Sequence, residues 1–124
     1  MAPMRSLLVV DDDVATCDAV RRLLGRMGYV VATATSGTDA LAVLHDLNFD
    51  LVILDWMMPD MDGLEVLRRL RANPETHDVK VVLYSAADDP STEREALKLG
   101  AMDCVLKSGG FFDLYQRIER LLPP

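Results

Sequence analysis

The chain reads, from residue 51 to residue 63, Leu-Val-Ile-Leu-Asp-Trp-Met-Met-Pro-Asp-Met-Asp-Gly. Four apolar residues lead directly into Asp55, and turn-forming residues follow at once. A short, continuous apolar run bounded by turn residues is typical of a strand that is buried on both faces of a sheet. The pattern therefore predicts a strand over residues 51–54, with Asp55 at its carboxyl end, where open α/β sheets keep their chemistry.

A second apolar run, over residues 7–10, ends in the same way and leads into Asp11, Asp12 and Asp13. If the two strands are parallel neighbours, Asp55, Asp11 and Asp12 share one pocket at the carboxyl edge of the sheet. Because carboxylates packed so closely repel one another, the arrangement indicates a bound cation, and oxygen ligands favour Mg²⁺ or Ca²⁺ over zinc. We expect Asp13 to cap the helix that follows rather than to bind metal.

Strand-like and helix-like segments alternate along the whole chain. Strands are expected at residues 6–10, 29–33, 51–54, 79–84 and 102–106, and helices at about 13–27, 36–47, 64–72, 88–99 and 111–122. Five successive β-α units predict an α/β fold, with a doubly wound parallel sheet covered by helices on both faces. The 124 residues suit one domain over 1–124, with an ordered core over about 5–122.

Composition and charge exclude several classes of protein. The formal net charge of −7 argues against a nucleic-acid surface, which needs clustered Lys and Arg, and weakly against contact with anionic membranes. No apolar run approaches the 18 residues of a membrane span, and the first residues lack a signal core. Cys17 and Cys104 show no CxxC spacing, so we interpret both as reduced thiols of a soluble cytoplasmic domain.

Two further strand ends carry polar side chains, Ser85 after the fourth strand and Lys107 after the fifth. A hydroxyl, an ammonium and three carboxylates at one edge of a sheet suit phosphoryl transfer. In this chemistry a carboxylate is the nucleophile and forms an acyl phosphate. Mg²⁺ and Lys107 each neutralise a phosphoryl oxygen, and Ser85 donates a hydrogen bond to a third.

Taken together, these motifs resemble the receiver domain of response regulators in bacterial two-component signalling. The resemblance covers nearly the whole chain and rests on Leu-Leu-Val-Val-Asp-Asp-Asp at 7–13, Leu-Asp-Trp-Met-Met-Pro-Asp-Met-Asp-Gly at 54–63, Tyr-Ser-Ala at 84–86, and Lys107. It implies a flavodoxin-like (βα)5 fold with strand order 2-1-3-4-5. In that order the first and third strands are neighbours, as the shared acidic pocket requires.

The resemblance also implies a role for each site residue. Asp55 is the phosphoacceptor, and Mg²⁺ is held by Asp11, Asp12 and Asp55, with Asp12 a direct ligand. The backbone carbonyl of Met57 supplies a further ligand. Ser85 is the hydroxyl that closes on the phosphoryl group, and Lys107 contacts the phosphoryl group or the acceptor carboxylate.

The partners follow from the same resemblance. The phosphoryl donor is a sensor histidine kinase or a phosphotransfer protein, and the readout is a contact with a downstream effector protein or domain. Such a domain catalyses its own phosphorylation and dephosphorylation, and is a switch rather than a turnover enzyme. The face formed by helix 4, strand 5 and helix 5 is a candidate homodimer interface.

Four positions depart from the family pattern or adjust it. Ser108 replaces the proline that usually follows Lys107 after a cis peptide, and a cis bond before a non-proline residue costs about 3–4 kcal/mol. We therefore expect a trans or more mobile loop.

Cys104 replaces the switch aromatic, which predicts only small shifts of strand 5 on phosphorylation. Met57 and Ala87 cannot orient an attacking water, so self-dephosphorylation should be slow.

Two other functions remain open at this point. Ser108 and Cys104 favour a degenerate receiver that acts only as a protein-interaction module, whereas the intact acidic residues oppose it. A phosphohydrolase with an aspartate nucleophile could use the Asp-x-Asp of residues 11–13, but the chain is short for the cap of such an enzyme and Asp55 would be unexplained. Mg²⁺-dependent phosphorylation discriminates between a working and a degenerate receiver.

Overall fold

A computed structural model describes residues 4–123 of the chain. Its strands are β1 (Ser6–Val10), β2 (Val30–Ala34), β3 (Leu51–Leu54), β4 (Val81–Ser85) and β5 (Asp103–Leu106). Its helices are α1 (Val14–Arg26), α2 (Gly37–Asp46), α3 (Gly63–Ala72), α4 (Pro90–Lys98) and α5 (Gly110–Leu121), with a 3₁₀ turn at Lys107–Gly109.

The five strands form one parallel sheet in the order β2-β1-β3-β4-β5. This confirms the predicted α/β, flavodoxin-like (βα)5 architecture and its strand order. In the register of the sheet, Val10 of β1 pairs with Ala34 of β2 on one side and with Leu54 of β3 on the other. The residues that follow Val10 and Leu54 therefore leave the sheet side by side.

Helices cover both faces of the sheet, which explains why the central strands read as unbroken apolar runs. Alternate residues of β1 and β3 point to opposite sides. Leu8, Val10, Val52 and Leu54 pack with α2, α3 and α4, while the intervening residues pack with α1 and α5. Both cysteines are free thiols, one buried in α1 and one half-buried in β5. Within residues 4–123, none of the helices has the length and apolar character that crossing a bilayer requires.

The fourth strand begins later than the sequence predicted, at Val81 rather than at Val79. The N–H of Val79 donates to the carbonyl of Thr76 at 3.1 Å, and its own carbonyl accepts from Arg71 at 2.7 Å. Val79 therefore belongs to the turn that joins α3 to β4. The expected strand over 29–33 likewise moves by one residue, because the N–H of Tyr29 closes the end of α1 on the carbonyl of Leu24.

The N-caps of α1, α3 and α4 are aspartates, namely Asp13, Asp62 and Asp89. Asp13 accepts from the backbone N–H of Ala15 at 3.0 Å, which confirms its predicted role as the cap of α1. Asp62 caps α3 in the same manner. Asp60, from the loop that follows β3, reaches across to the start of α2 and accepts from the N–H and the hydroxyl of Thr38 at 3.1 and 3.0 Å. The loop after Asp55 is thus fastened to two helices.

Candidate metal and phosphoryl-transfer site

Asp11 and Asp55 lie side by side because β1 and β3 end in register. The N–H of Asp55 donates to the carbonyl of Val10 at 2.9 Å, and the N–H of Asp11 donates to the carbonyl of Ala34 at 3.1 Å. The sheet hydrogen bonds thus extend one residue beyond each strand and fix both backbones. Both side chains are buried, with 3% of Asp11 and 6% of Asp55 exposed.

Asp12 completes an acidic cluster with these two residues. One carboxylate oxygen from each of Asp11, Asp12 and Asp55 lies within 4.8 Å of the others. The donor set consists of carboxylate oxygens alone, two buried and one exposed to solvent, which is the chemistry that hard divalent cations such as Mg²⁺ prefer. The three residues that the sequence predicted to meet are therefore brought together, and they fit such an ion.

Lys107 closes the cluster from the far edge of the sheet. Its Nζ lies 2.6 Å from Oδ2 of Asp11 and 3.7 Å from Oδ2 of Asp55. Burial works against the charged form of Lys107, but the contacts with Asp11 and Asp55 outweigh it and hold the pKa of the ammonium above its ordinary value. The side chain therefore stays protonated and places a full positive charge between the two carboxylates.

The peptide between Lys107 and Ser108 is trans, as are all the peptide bonds that the structure describes. Lys107 begins the short 3₁₀ turn that leads into α5. The sequence left open a trans or a mobile loop, and the structure shows the trans form with the ammonium ion-paired to Asp11. Ser108 itself lies on the surface beside Gly109.

The pKa of Asp55 is raised from its ordinary value of 3.8 to about 6. Burial is the main cause, the negative charge of Asp11 adds to it, and Lys107 opposes both. The carboxylate form of Asp55 is thus disfavoured in the folded chain, first because the group is buried and second because the negative charges of Asp11 and Asp12 repel it. A positive charge that enters the cluster relieves that repulsion.

Ser85 lies at the end of β4, next to β3 in the sheet, and only 7% of the residue is exposed. Its hydroxyl oxygen accepts a hydrogen bond from the N–H of Ala87 at 3.2 Å. The residue also lines a cavity of about 260 Å³ together with Trp56 and Cys104. Cys104, at the position where the family has an aromatic ring, therefore leaves open space beside Ser85.

Three residues near the site make contacts that the sequence did not predict. Tyr84, buried beside Lys107, has its ring centroid 5.8 Å from Nζ of that lysine. Gly63 lies against the backbone of Asp55, and a Cβ built on it would come within 2.4 Å of the Asp55 carbonyl oxygen. Asp60 fixes the loop to α2. The strand order was a usable signal for Tyr84, because Tyr84 pairs with Val105 of the neighbouring strand and Lys107 follows directly after that strand.

The fold and the acidic cluster together define a phosphate-accepting signalling domain. Residues 7–119 match the family model described as response regulator receiver domain, and the chain belongs to this family. It is therefore a receiver domain of two-component signal transduction, and the pocket of Asp11, Asp12 and Asp55 fits a phosphoacceptor site. The intact pocket gives no support to the alternative of a degenerate receiver.

Among curated proteins, the transcriptional regulatory protein ZraR of Salmonella typhimurium is 41% identical over 117 residues, which cover 94% of this chain and 26% of ZraR. The response regulator MprA of a Mycobacterium species is 39% identical over 120 residues, or 97% of this chain and 51% of MprA. The chain thus spans a quarter to a half of the length of these relatives.

Two solved structures show the same fold over nearly the whole chain. The chemotaxis protein CheY4 of Vibrio cholerae is 28% identical, with a TM-score of 0.89, over 97% of this chain and 100% of CheY4. The response regulator protein TrrA of Thermotoga maritima, solved in complex with Mg(2+)-BeF, is 34% identical, with a TM-score of 0.85, over 96% of this chain and 100% of TrrA.

Proposed function

We propose that Asp55 is the residue that accepts the phosphoryl group. The observation that carries this proposal is its position: Asp55 is a buried carboxylate at the end of β3, in contact with Lys107 and within the acidic cluster. A carboxylate oxygen of Asp55 forms a bond to the phosphorus of a donor phosphohistidine while the bond from phosphorus to the donor imidazole breaks. The product is an acyl phosphate on Asp55.

The metal in this proposal is Mg²⁺, held by the carboxylates of Asp11, Asp12 and Asp55 and by the backbone carbonyl of Met57. When bound, Mg²⁺ supplies positive charge that reduces the repulsion between Asp55 and the phosphoryl oxygens. The oxygen-only donor set supports this choice of ion. The complex of the relative TrrA with Mg(2+)-BeF supports it further.

Lys107 and Ser85 act on the phosphoryl oxygens in the same proposal. The ammonium of Lys107, 3.7 Å from Asp55, brings a second positive charge to the side of the acceptor that faces β5. The hydroxyl of Ser85, one strand away from Asp55, donates a hydrogen bond to a phosphoryl oxygen. Each group stabilises charge that develops during transfer. Ser85 is the last residue of β4, and Lys107 is ion-paired to Asp11.

Removal of the phosphoryl group should be slow in this chain. Attack by water needs a polar side chain to orient the water, and the nearby positions hold Met57 and Ala87. The Met57 side chain is 61% exposed and has no group that donates or accepts a strong hydrogen bond. We therefore expect the acyl phosphate to last longer than seconds, and the domain to work as a switch rather than as a turnover enzyme.

In the same proposal, residues 1–124 form a single cytoplasmic receiver domain, of which 1–3 and 124 lie outside the described residues. Its donor is a sensor histidine kinase or a phosphotransfer protein. Its output is a contact with an effector protein or domain, as the transcriptional regulators among its relatives suggest. The face of α4, β5 and α5 is the candidate homodimer surface, where Arg117 already pairs with Asp103 of its own chain at 2.7 Å.

Intact mass after incubation with acetyl phosphate and Mg²⁺ tests the proposal. We expect one phosphoryl adduct in the wild type, and none in Asp55→Asn or when Mg²⁺ is removed. Asp13→Asn is the matched control, because it changes a neighbouring carboxylate whose role as a helix cap an amide can keep. An adduct that persists in Asp55→Asn, or no adduct in the wild type, contradicts the proposal.

A further inference from the structure

We propose that Tyr84 is a positioning residue for Lys107, and that the face of its ring holds the lysine ammonium over the acidic cluster. The Nζ atom of Lys107 lies over this ring, 5.8 Å from its centroid. An ammonium over the face of an aromatic ring at such a distance is attracted by the negative face of the ring. This inference rests on the proposed function only where it concerns the rate of phosphorylation.

The sheet register places the two residues together. Tyr84 pairs with Val105 across β4 and β5, and Lys107 begins the 3₁₀ turn directly after β5, so the lysine leaves the sheet beside the strand that carries Tyr84. To reach Asp11 at the end of β1, the Lys107 stem must pass β4 and β3, because these strands lie between β5 and β1. Tyr84 stands on β4, directly along this path.

Lys107 needs a second contact because its first partner, the carboxylate of Asp11, also binds other groups. Oδ2 of Asp11 binds the ammonium at 2.6 Å, while Oδ1 accepts the N–H of Asp13 at 2.9 Å. A cation bound at the cluster draws on the same carboxylate. The ring of Tyr84 is a contact that metal binding leaves in place.

The ring, rather than the hydroxyl, carries this role. Within residues 4–123 the structure gives the Tyr84 hydroxyl no hydrogen bond, whereas the ring is almost completely buried, with 7% of the residue exposed. Tyr84→Phe therefore keeps the face that Lys107 contacts. Tyr84→Leu and Tyr84→Met keep an apolar side chain but remove the ring.

The first test observes the contact without any phosphorylation. Protons above a ring face are shielded, so the ε-methylene protons of Lys107 should resonate upfield of their ordinary position in the NMR spectrum of the unphosphorylated chain. We expect this shift in the wild type and in Tyr84→Phe, and its loss in Tyr84→Leu and Tyr84→Met. Two ring-free variants guard against one that folds poorly. A shift that is absent in the wild type, or that survives without the ring, overturns the inference.

The second test is a double-mutant cycle on the rate of phosphorylation by acetyl phosphate with Mg²⁺. Tyr84→Leu should lower the rate roughly fivefold, which corresponds to one cation–π contact, and Tyr84→Phe should stay near the wild type. In a Lys107→Met background, Tyr84→Leu should have no further effect. An equal loss in that background shows a purely structural role and overturns the inference. If the wild type is not phosphorylated at all, the proposed function fails while the NMR result still decides the role of Tyr84.

Discussion

Gly63 shows how one missing Cβ shapes the site. A Cβ at this position would lie 2.4 Å from the carbonyl oxygen of Asp55 and 2.9 Å from Cα of Trp56, and neither backbone atom can turn aside as a side chain can. We expect Gly63→Ala to lower the free energy of unfolding by about 1–3 kcal/mol or more, because the first turn of α3 must move away from β3. Urea denaturation measures this loss.

Gly25 is the matched control for that substitution. It lies in α1, and a Cβ built on it meets no atom within 4 Å. Gly25→Ala should raise the free energy of unfolding by about 0.5–1 kcal/mol, since alanine has the higher helix propensity. If both variants change stability equally, the contact between Gly63 and Asp55 is not the cause.

The raised pKa of Asp55 makes the stability of the domain depend on pH in an unusual direction. A carboxyl whose pKa is about 6 when folded and 3.8 when unfolded binds its proton more tightly in the folded chain. The favourable contribution is complete below pH 3.8 and is lost as the pH rises through 6. Without metal, Asp55→Asn should therefore stabilise the chain at pH 7.5 by on the order of 2–3 kcal/mol.

Thermal or urea denaturation at several pH values, in the presence of a chelator, measures this effect. The gain from Asp55→Asn should shrink as the pH is lowered from 7 towards 4, because the wild-type carboxyl then becomes neutral as well. Added Mg²⁺ should stabilise the wild type more than the variant. A gain that does not change with pH would show that the charged form of Asp55 is not its source.

Arg71 joins elements that are distant in the chain. Its guanidinium donates to the carbonyls of Leu99 and Val79 at 2.7 Å, of His77 at 2.9 Å and of Gly100 at 3.3 Å. One side chain thus ties the end of α3 to the start of β4 and to the loop between α4 and β5. Arg71→Met should lower the free energy of unfolding by about 2 kcal/mol or more, because these carbonyls lose a charged donor.

Arg69→Met, two residues earlier on the same helix, is the control for this prediction. The Arg69 side chain is 58% exposed and pairs only with Glu65 at 3.3 Å among the described residues. Exposed ion pairs of this kind contribute about 0.5 kcal/mol or less, so the change should be small. Equal losses in the two variants would show that the carbonyl contacts of Arg71 contribute little.

The strand β5 carries the prediction for the phosphorylated state. Cys104 offers a small thiol beside the cavity at Ser85, so no ring is present to move inward when Ser85 shifts towards a phosphoryl group. We expect small amide chemical-shift changes over β5 when the chain is phosphorylated or binds a phosphoryl analogue. Large displacement of β5 in the same mapping experiment would contradict this expectation and would require another route from Ser85 to the output face.

Local patterns predicted the elements and the acidic cluster, because both depend on short-range signals. The apolar run before Asp55 marks a buried strand whatever surrounds it, and Asp11 follows a second such run. Once the strand order is known, the two carboxylates must meet. The family resemblance supplied that order, since alternating β-α units alone are compatible with other arrangements of the sheet.

These local patterns could not predict contacts between residues that are distant in the sequence. The four carbonyls that Arg71 binds come from two loops, and nothing in the residues around position 71 distinguishes it from Arg69. The sequence indicated that Gly63 is a turn residue. In the structure Gly63 begins α3, and its missing Cβ lets α3 approach the backbone at the end of β3. The observed start of β4 differs from the predicted one for a similar reason, because the hydrogen bond from Arg71 to the carbonyl of Val79 depends on tertiary packing.

The position of Arg71 also determines where the domain is stiff. Its guanidinium fastens several connections at the amino ends of β4 and β5, while the opposite end of the sheet holds carboxylates that repel one another. Thermal fluctuations should therefore be small at the amino ends of β4 and β5, where the four carbonyls are bound. If α4 or β5 moves in response to a change near Ser85, the amino ends of β4 and β5 should therefore stay in place.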